Sequence, residues 1–121
     1  MRADRRRAVR RGRFAEAVAA AWLRLKGYRI LGRRVKTPVG EIDILARRGS
    51  VVAVVEVKAR PTAAAAAEAI GARQRHRLER AAAWVLASRP ALAQADIRFD
   101  AVLVAPFRAP RHVVDAWRPD F

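Results

Sequence analysis

Asp43, Glu56 and Lys58 carry the most chemistry per residue in this chain. They lie in two segments that read as strands, residues 41–46 and 51–59. Strand side chains repeat every two residues, so Glu56 and Lys58 share a face, as do Glu41 and Asp43. Val51 to Val55 is an unbroken apolar run, the pattern of a buried strand, with charges at one end only. Arg47-Arg48-Gly49-Ser50 joins the two, with Gly49 able to take positive φ. A loop centred on Arg48-Gly49 sets Asp43 opposite Val54 and diagonal to Glu56, and a Gly49-Ser50 loop sets it directly opposite Glu56. Both registers bring Asp43, Glu56 and Lys58 to one face, with Cβ atoms roughly 5–8 Å apart. An odd-length loop or a bulge turns Asp43 away. Converging, half-buried carboxylates repel, and a divalent cation is the natural counter-charge. Their oxygen ligands suit Mg²⁺ or Mn²⁺.

The chain's charge points to a polyanionic partner. Its 121 residues suffice for one domain, and 53% of them are apolar, as a folded core requires. Against 11 acidic residues stand 26 basic ones, for a net charge of +15. Nucleic acid is the simplest partner for such a balance. Arg dominates the basic residues, and Lys26, Lys36 and Lys58 are the only lysines. A Lys beside Glu56 is therefore informative, because Lys is a compact and tunable donor whereas Arg is not. The absence of Cys excludes disulfides and thiolate–metal sites. No apolar run is long enough to span a membrane. Arg5-Arg6-Arg7 and Arg10-Arg11 do not lead into an uninterrupted apolar segment with a cleavage site, so a cytoplasmic protein is expected.

The elements that position these residues follow in order. Residues 1–11 form a basic arm, expected to be mobile and suited to phosphate contact through Arg5, Arg6, Arg7, Arg10 and Arg11. Residues 12–121 form a single domain. Its first helix is predicted over 12–26, with Phe14, Val18, Trp22 and Leu25 as the apolar stripe and Gly27 past its end. Glu16 lies off that stripe, beside Ala19 and Ala20. A carboxylate near a helix N-terminus, stabilising by about 0.3–1 kcal/mol, accounts for it more simply than a reach toward the strands does. A strand is predicted over 28–36, with Arg29, Arg33 and Arg34 along its side or end. Pro61 ends the strand that carries Lys58. The alanine-rich residues 62–69 read equally as a helical turn or a loop. A second helix over 71–88 places Leu78, Ala82 and Val85 on one stripe, with Arg73 and Arg77 on its start and outer face. A strand over 97–104 has Arg98 and Asp100 on one face, and 112–117 forms a closing edge strand.

This order, with Asp on the second strand and Glu-x-Lys on the third, resembles the restriction-endonuclease-like nucleases with a PD-(D/E)xK site. Gly12-Arg13-Phe14-Ala15-Glu16-Ala17, Gly40-Glu41-Ile42-Asp43, Val55-Glu56-Val57-Lys58-Ala59-Arg60 and Arg98-Phe99-Asp100 are similar to segments of the small YraN-like family, related in fold to Holliday-junction resolvases. The resemblance implies an α/β fold with a mixed sheet and helices on its faces. It implies metal-binding Asp43 and Glu56, a site lysine at Lys58 and a helix glutamate at Glu16 approaching the site. Arg73 stands where the family often has Lys, and Ile42 replaces the motif proline. The implied activity is Mg²⁺- or Mn²⁺-dependent hydrolysis of phosphodiester bonds in DNA, branched or damaged structures included. The basic arm, Arg60, Arg73 and Arg77 would grip phosphates without reading sequence. A resolvase-like role further implies a homodimer. The alternative is a nucleic-acid-binding protein that keeps the fold without turnover.

Overall fold

The computed structural model describes residues 2–119, with side chains from residue 12 onward, Ala63 and Ala67 apart. The elements are α1 (Arg2–Leu25), β1 (Arg29–Thr37), β2 (Gly40–Arg48), β3 (Val51–Ala59), α2 (Ala63–Glu68), α3 (Ala72–Ser88), a 3₁₀ turn (Pro90–Leu92), β4 (Asp96–Val104) and β5 (Arg111–Trp117). They form an α/β fold around one mixed sheet in the order β1-β2-β3-β4-β5. Only the β3–β4 pair is parallel among the described residues. A parallel pair needs a long crossover, and α2 with α3 supplies it.

The β-branched run of β3 is buried on both faces, as its lack of alternation predicts. On one face Leu78, Ala81, Ala82 and Val85 of α3 pack over Ile42, Leu45, Val52, Val54 and Phe99. On the other, Ala19, Ala20 and Leu23 of α1 cover Ile44, Ala46, Ala53, Val55 and Val102. Each fully buried Leu or Val here contributes about 1.5–3 kcal/mol. The α2 helix settles the open reading of residues 62–69 in favour of a short helical turn.

Two expectations about the first helix are corrected. Its backbone is helical from Arg2, so the helix begins ten residues before its predicted start. The side chains of Arg5, Arg6, Arg7, Arg10 and Arg11 lie outside the described residues. The buried stripe is also not the expected one: Phe14 is 70% and Leu25 82% exposed. Ala15, Glu16, Ala19, Ala20 and Leu23 face the sheet instead. Small alanines let the helix axis lie close to the strands, which bulky Phe and Trp would prevent. This turn of the helix carries Glu16 inward.

A buried polar cluster secures β5. Asp100, fully buried, receives Arg98 through Nε and Nη2 at 2.8 Å each and the Asp115 N–H at 3.0 Å. His112 Nε2 lies 2.7 Å from its Oδ2. Burial by itself pushes the Asp100 carboxyl up, but His112, Arg98 and the Asp115 N–H outweigh it and hold the group down at about 2. Arg98 and Asp100 share a face as expected, but His112 is an unforeseen partner. Among the described residues, no helix is long and apolar enough to cross a membrane.

Candidate active site

The β2–β3 ladder runs in regular register from Arg48↔Val51 to Ile44↔Val55, which is the register of a Gly49-Ser50 loop. Gly49 takes φ +62°, which its missing Cβ allows. Continued by one pair, this register sets Asp43 directly opposite Glu56. The ladder ends just short of that pair. The Asp43 side chain fills the opening: its Oδ2 accepts the Val57 N–H at 2.8 Å.

The local break has a cause on the neighbouring strand. Arg33 pairs with Ile44 and Val35 with Ile42, while Arg34 between them takes φ +48°, a left-handed conformation that costs a non-glycine residue about 1–3 kcal/mol. Ile44 packs on the α1 side and Ile42 on the α3 side, so strict alternation fails at Asp43. Asp43 thus sits at a break in the strand's alternation. It lies close enough to Glu56 to feel its charge, and it lines an open cleft of about 640 Å³ that Glu16, Arg33 and Arg34 also line.

Glu56 is 3% exposed and turns toward α3. Lys58 Nζ lies 3.4 Å from its Oε1, and Gln74 Nε2 of α3 lies 3.4 Å from its Oε2. Burial of Asp43 and the adjacent Glu56 charge push the Asp43 carboxyl up to about 7, against the opposing pull of the Val57 N–H and Lys58. A carboxyl that keeps its proton is the response of a poorly solvated group beside another negative charge. A cation set between Asp43 and Glu56 would take over the proton's work.

Glu16, 5% exposed, enters the cleft from α1. Arg33 Nε donates to its Oε1 at 3.0 Å and Arg34 Nε lies 3.9 Å from the same oxygen. The cleft also takes in Arg13 and Lys36. Asp43, Glu56 and Lys58 are therefore brought together, and Glu16 shares the cleft with Asp43. Glu56 and Lys58 do not line this cleft, and Arg60, Arg73 and Arg77 are not part of it either. The Arg60 Nη1 donates to the Ala59 carbonyl, Arg73 is exposed on α3, and Arg77 packs against Gly40. Sequence reasoning missed Gln74, Arg13 and Lys36. Only the proximity of Lys36 to the acidic segment offered a signal.

The donor set fits a hard cation. Two carboxylates with the remaining positions left to water and phosphate oxygens is the arrangement Mg²⁺ accepts, since it retains most of its hydration shell. Among the described residues no three His, Asp or Glu groups converge closely enough to form a ligand set. A zinc-type cage of three or four protein ligands is thus not present there.

Comparison with known proteins adds the family. Residues 15–104 match the model of the Uncharacterised protein family UPF0102. A UPF0102 protein of Parvibaculum lavamentivorans is 59% identical over 112 residues, covering 93% of this chain and 84% of that protein. The UPF0102 protein amb4503 of Paramagnetospirillum magneticum is 56% identical over 117 residues, covering 93% and 91%. One of a Caulobacter species is 55% identical over 106 residues, covering 88% and 76%. The matched span holds Glu16, Asp43, Glu56 and Lys58 alike, and the chain belongs to the UPF0102 family, the YraN-like group that its motifs resemble.

Proposed function

We propose that the protein hydrolyses phosphodiester bonds in DNA with Mg²⁺ or Mn²⁺ at Asp43 and Glu56, where Asp43 borders the cleft, on a core of the restriction-endonuclease type. One observation carries the reading: the Asp43 and Glu56 carboxyls meet where the β2–β3 ladder ends, with Lys58 beside Glu56. Asp43 and Glu56 would hold the metal, which when bound polarises a phosphate and makes water a better nucleophile at neutral pH. Lys58 supplies a positive charge to oxygen atoms that become negative during the displacement, or orients the attacking water. Glu16 stands ready to accept a proton, its Oε1 fixed by Arg33. Arg34 and Lys36 hold the flanking phosphates.

A second reading, a DNA-binding protein without turnover, draws on one observation. Glu16 pairs with Arg33 and does not join the other two carboxyls. A panel of branched, nicked and linear DNA and RNA substrates, with and without Mn²⁺, separates the two. Cleavage by the wild type that Asp43→Asn and Glu56→Gln both abolish, with binding retained, supports the enzyme. Metal-independent cleavage, or cleavage that persists in both variants, refutes it. Binding without cleavage by the wild type leaves the second reading standing.

A further inference from the structure

A second basic cleft lies along the same two elements as the candidate active-site cleft. It is open, about 460 Å³ in volume, and is lined by Arg24, Gly27, Tyr28, Arg29 and Ile30. The same two elements wall both clefts. On α1, Arg13 lines the first and Arg24 the second; on β1, Arg34 lines the first and Arg29 the second. The helix and strand therefore run in opposite directions between the two clefts. The two elements give independent measures of the distance between them. Eleven helical residues from Arg13 to Arg24 span about 17 Å at ~1.5 Å each. Five strand residues from Arg29 to Arg34 also span about 17 Å at ~3.3 Å each.

The far cleft is built to stay positive. Helix C-terminal carbonyls would repel an anion. Here Arg48 Nη1 donates to the Lys26 carbonyl at 3.1 Å, and its guanidinium lies 4.7 Å from the Tyr28 ring centre. Arg48 thus covers the negative end of α1 and leaves its own charge at that cleft. Arg24, Arg29 and Arg48 are all exposed, and among the described residues no carboxylate pairs with them. By contrast, the cations of the first cleft face Glu16, Glu41 and Asp43. Three unneutralised guanidiniums at a fixed distance from an acidic site call for a polyanion that spans that distance.

We infer that duplex DNA lies along α1 and β1 across both clefts, with Arg24, Arg29 and Arg48 forming a phosphate subsite about five base pairs from the first cleft. The separation follows from ~17 Å divided by the ~3.4 Å axial rise per phosphate of one strand. This deepens the proposed function, since it takes that site's substrate to be DNA. Arg73 and Arg77 of α3 line neither cleft. A duplex carries phosphates at a regular spacing, which two clefts at a fixed separation match, whereas a fluid anionic bilayer has no such repeat.

Binding of the wild-type chain in EDTA to blunt duplexes of increasing length tests this without requiring cleavage. Fluorescence anisotropy is the readout, with Arg24→Ala/Arg29→Ala and Arg73→Ala/Arg77→Ala as variants and circular dichroism as the folding check. Affinity should rise about tenfold or more as duplexes lengthen past the separation of the two clefts. Arg24→Ala/Arg29→Ala should abolish that rise and lower the log–log salt slope by about 2, one for each phosphate that the variant no longer neutralises. Arg73→Ala/Arg77→Ala should retain both. An unchanged length dependence in Arg24→Ala/Arg29→Ala, or a larger loss in Arg73→Ala/Arg77→Ala, overturns this path of the DNA but leaves the nuclease reading intact. Binding only to phosphatidylserine vesicles and to no duplex overturns both.

Discussion

Removing the Asp43 charge should stabilise the protein, and the gain should depend on pH. In the folded chain Asp43 keeps its proton to about 7, against an ordinary value of 3.8. Between those values the native state binds more protons than the unfolded one, so stability falls as pH rises. Each unit of difference corresponds to 1.36 kcal/mol, and the whole interval to at most about 4 kcal/mol by pH 8. Asn keeps an oxygen for the Val57 N–H and never ionises. Asp43→Asn should therefore match the wild type near pH 4 and exceed it by about 2–4 kcal/mol at pH 8, in EDTA. Removing the Glu56 charge lowers the Asp43 carboxyl, so Glu56→Gln should narrow the pH dependence. Urea denaturation followed by circular dichroism at pH 4 to 8 measures the difference. A gap that is absent at pH 8, or equal at both ends of the range, would refute the account of a raised Asp43 carboxyl.

Other outcomes follow from the same geometry. Lys58→Met should leave DNA binding within a few-fold of wild type and lower the cleavage rate by about 100-fold or more, as loss of one charge-stabilising donor does, measured by single-turnover assay. Gln74→Ala removes the Glu56 Oε2 partner from α3 and should lower cleavage and Mn²⁺ affinity about 10-fold, while Gln74→Glu lowers both further by repulsion. Asp100→Ala leaves Arg98 and His112 without their acceptor and should cost about 3–5 kcal/mol in urea denaturation. Because the Asp100 carboxyl sits at about 2, below its ordinary 3.8, the stability it contributes is complete above pH 4 and is lost as pH falls toward 2. Acid unfolding of the wild type should track that window.

The strands and the company of Asp43, Glu56 and Lys58 are legible in the sequence, which also narrows the β2–β3 register to two, of which the Gly49-Ser50 one is found. Strand periodicity and a Gly-containing turn determine these locally. The side of the sheet that Asp43 reaches is not legible, because it depends on the left-handed Arg34 on another strand. Arg33 and Arg34 are adjacent, and simple alternation sends them to opposite faces. Only that backbone turn brings both toward Glu16. The first helix departs from expectation for a physical reason. Large apolar side chains suggest the buried face, yet close packing on a sheet favours alanines, and Phe14 and Leu25 are left in solvent. The spacing of Ala15, Ala19, Leu23 and Glu16 holds the correct face. Gln74 and His112 give no local sign, since their partners are distant in the chain.

Calorimetric titration of Mn²⁺ into the wild type, Asp43→Asn and Glu56→Gln at pH 6.5 tests the cation site most directly. In buffers of different ionisation enthalpy, the wild type should bind Mn²⁺ and release close to one proton, the one that Asp43 holds, because metal ligands must be deprotonated. Both variants should lose that binding. Equal binding by all three proteins, or none by the wild type, would contradict the assignment of Asp43 and Glu56 as a metal-holding pair.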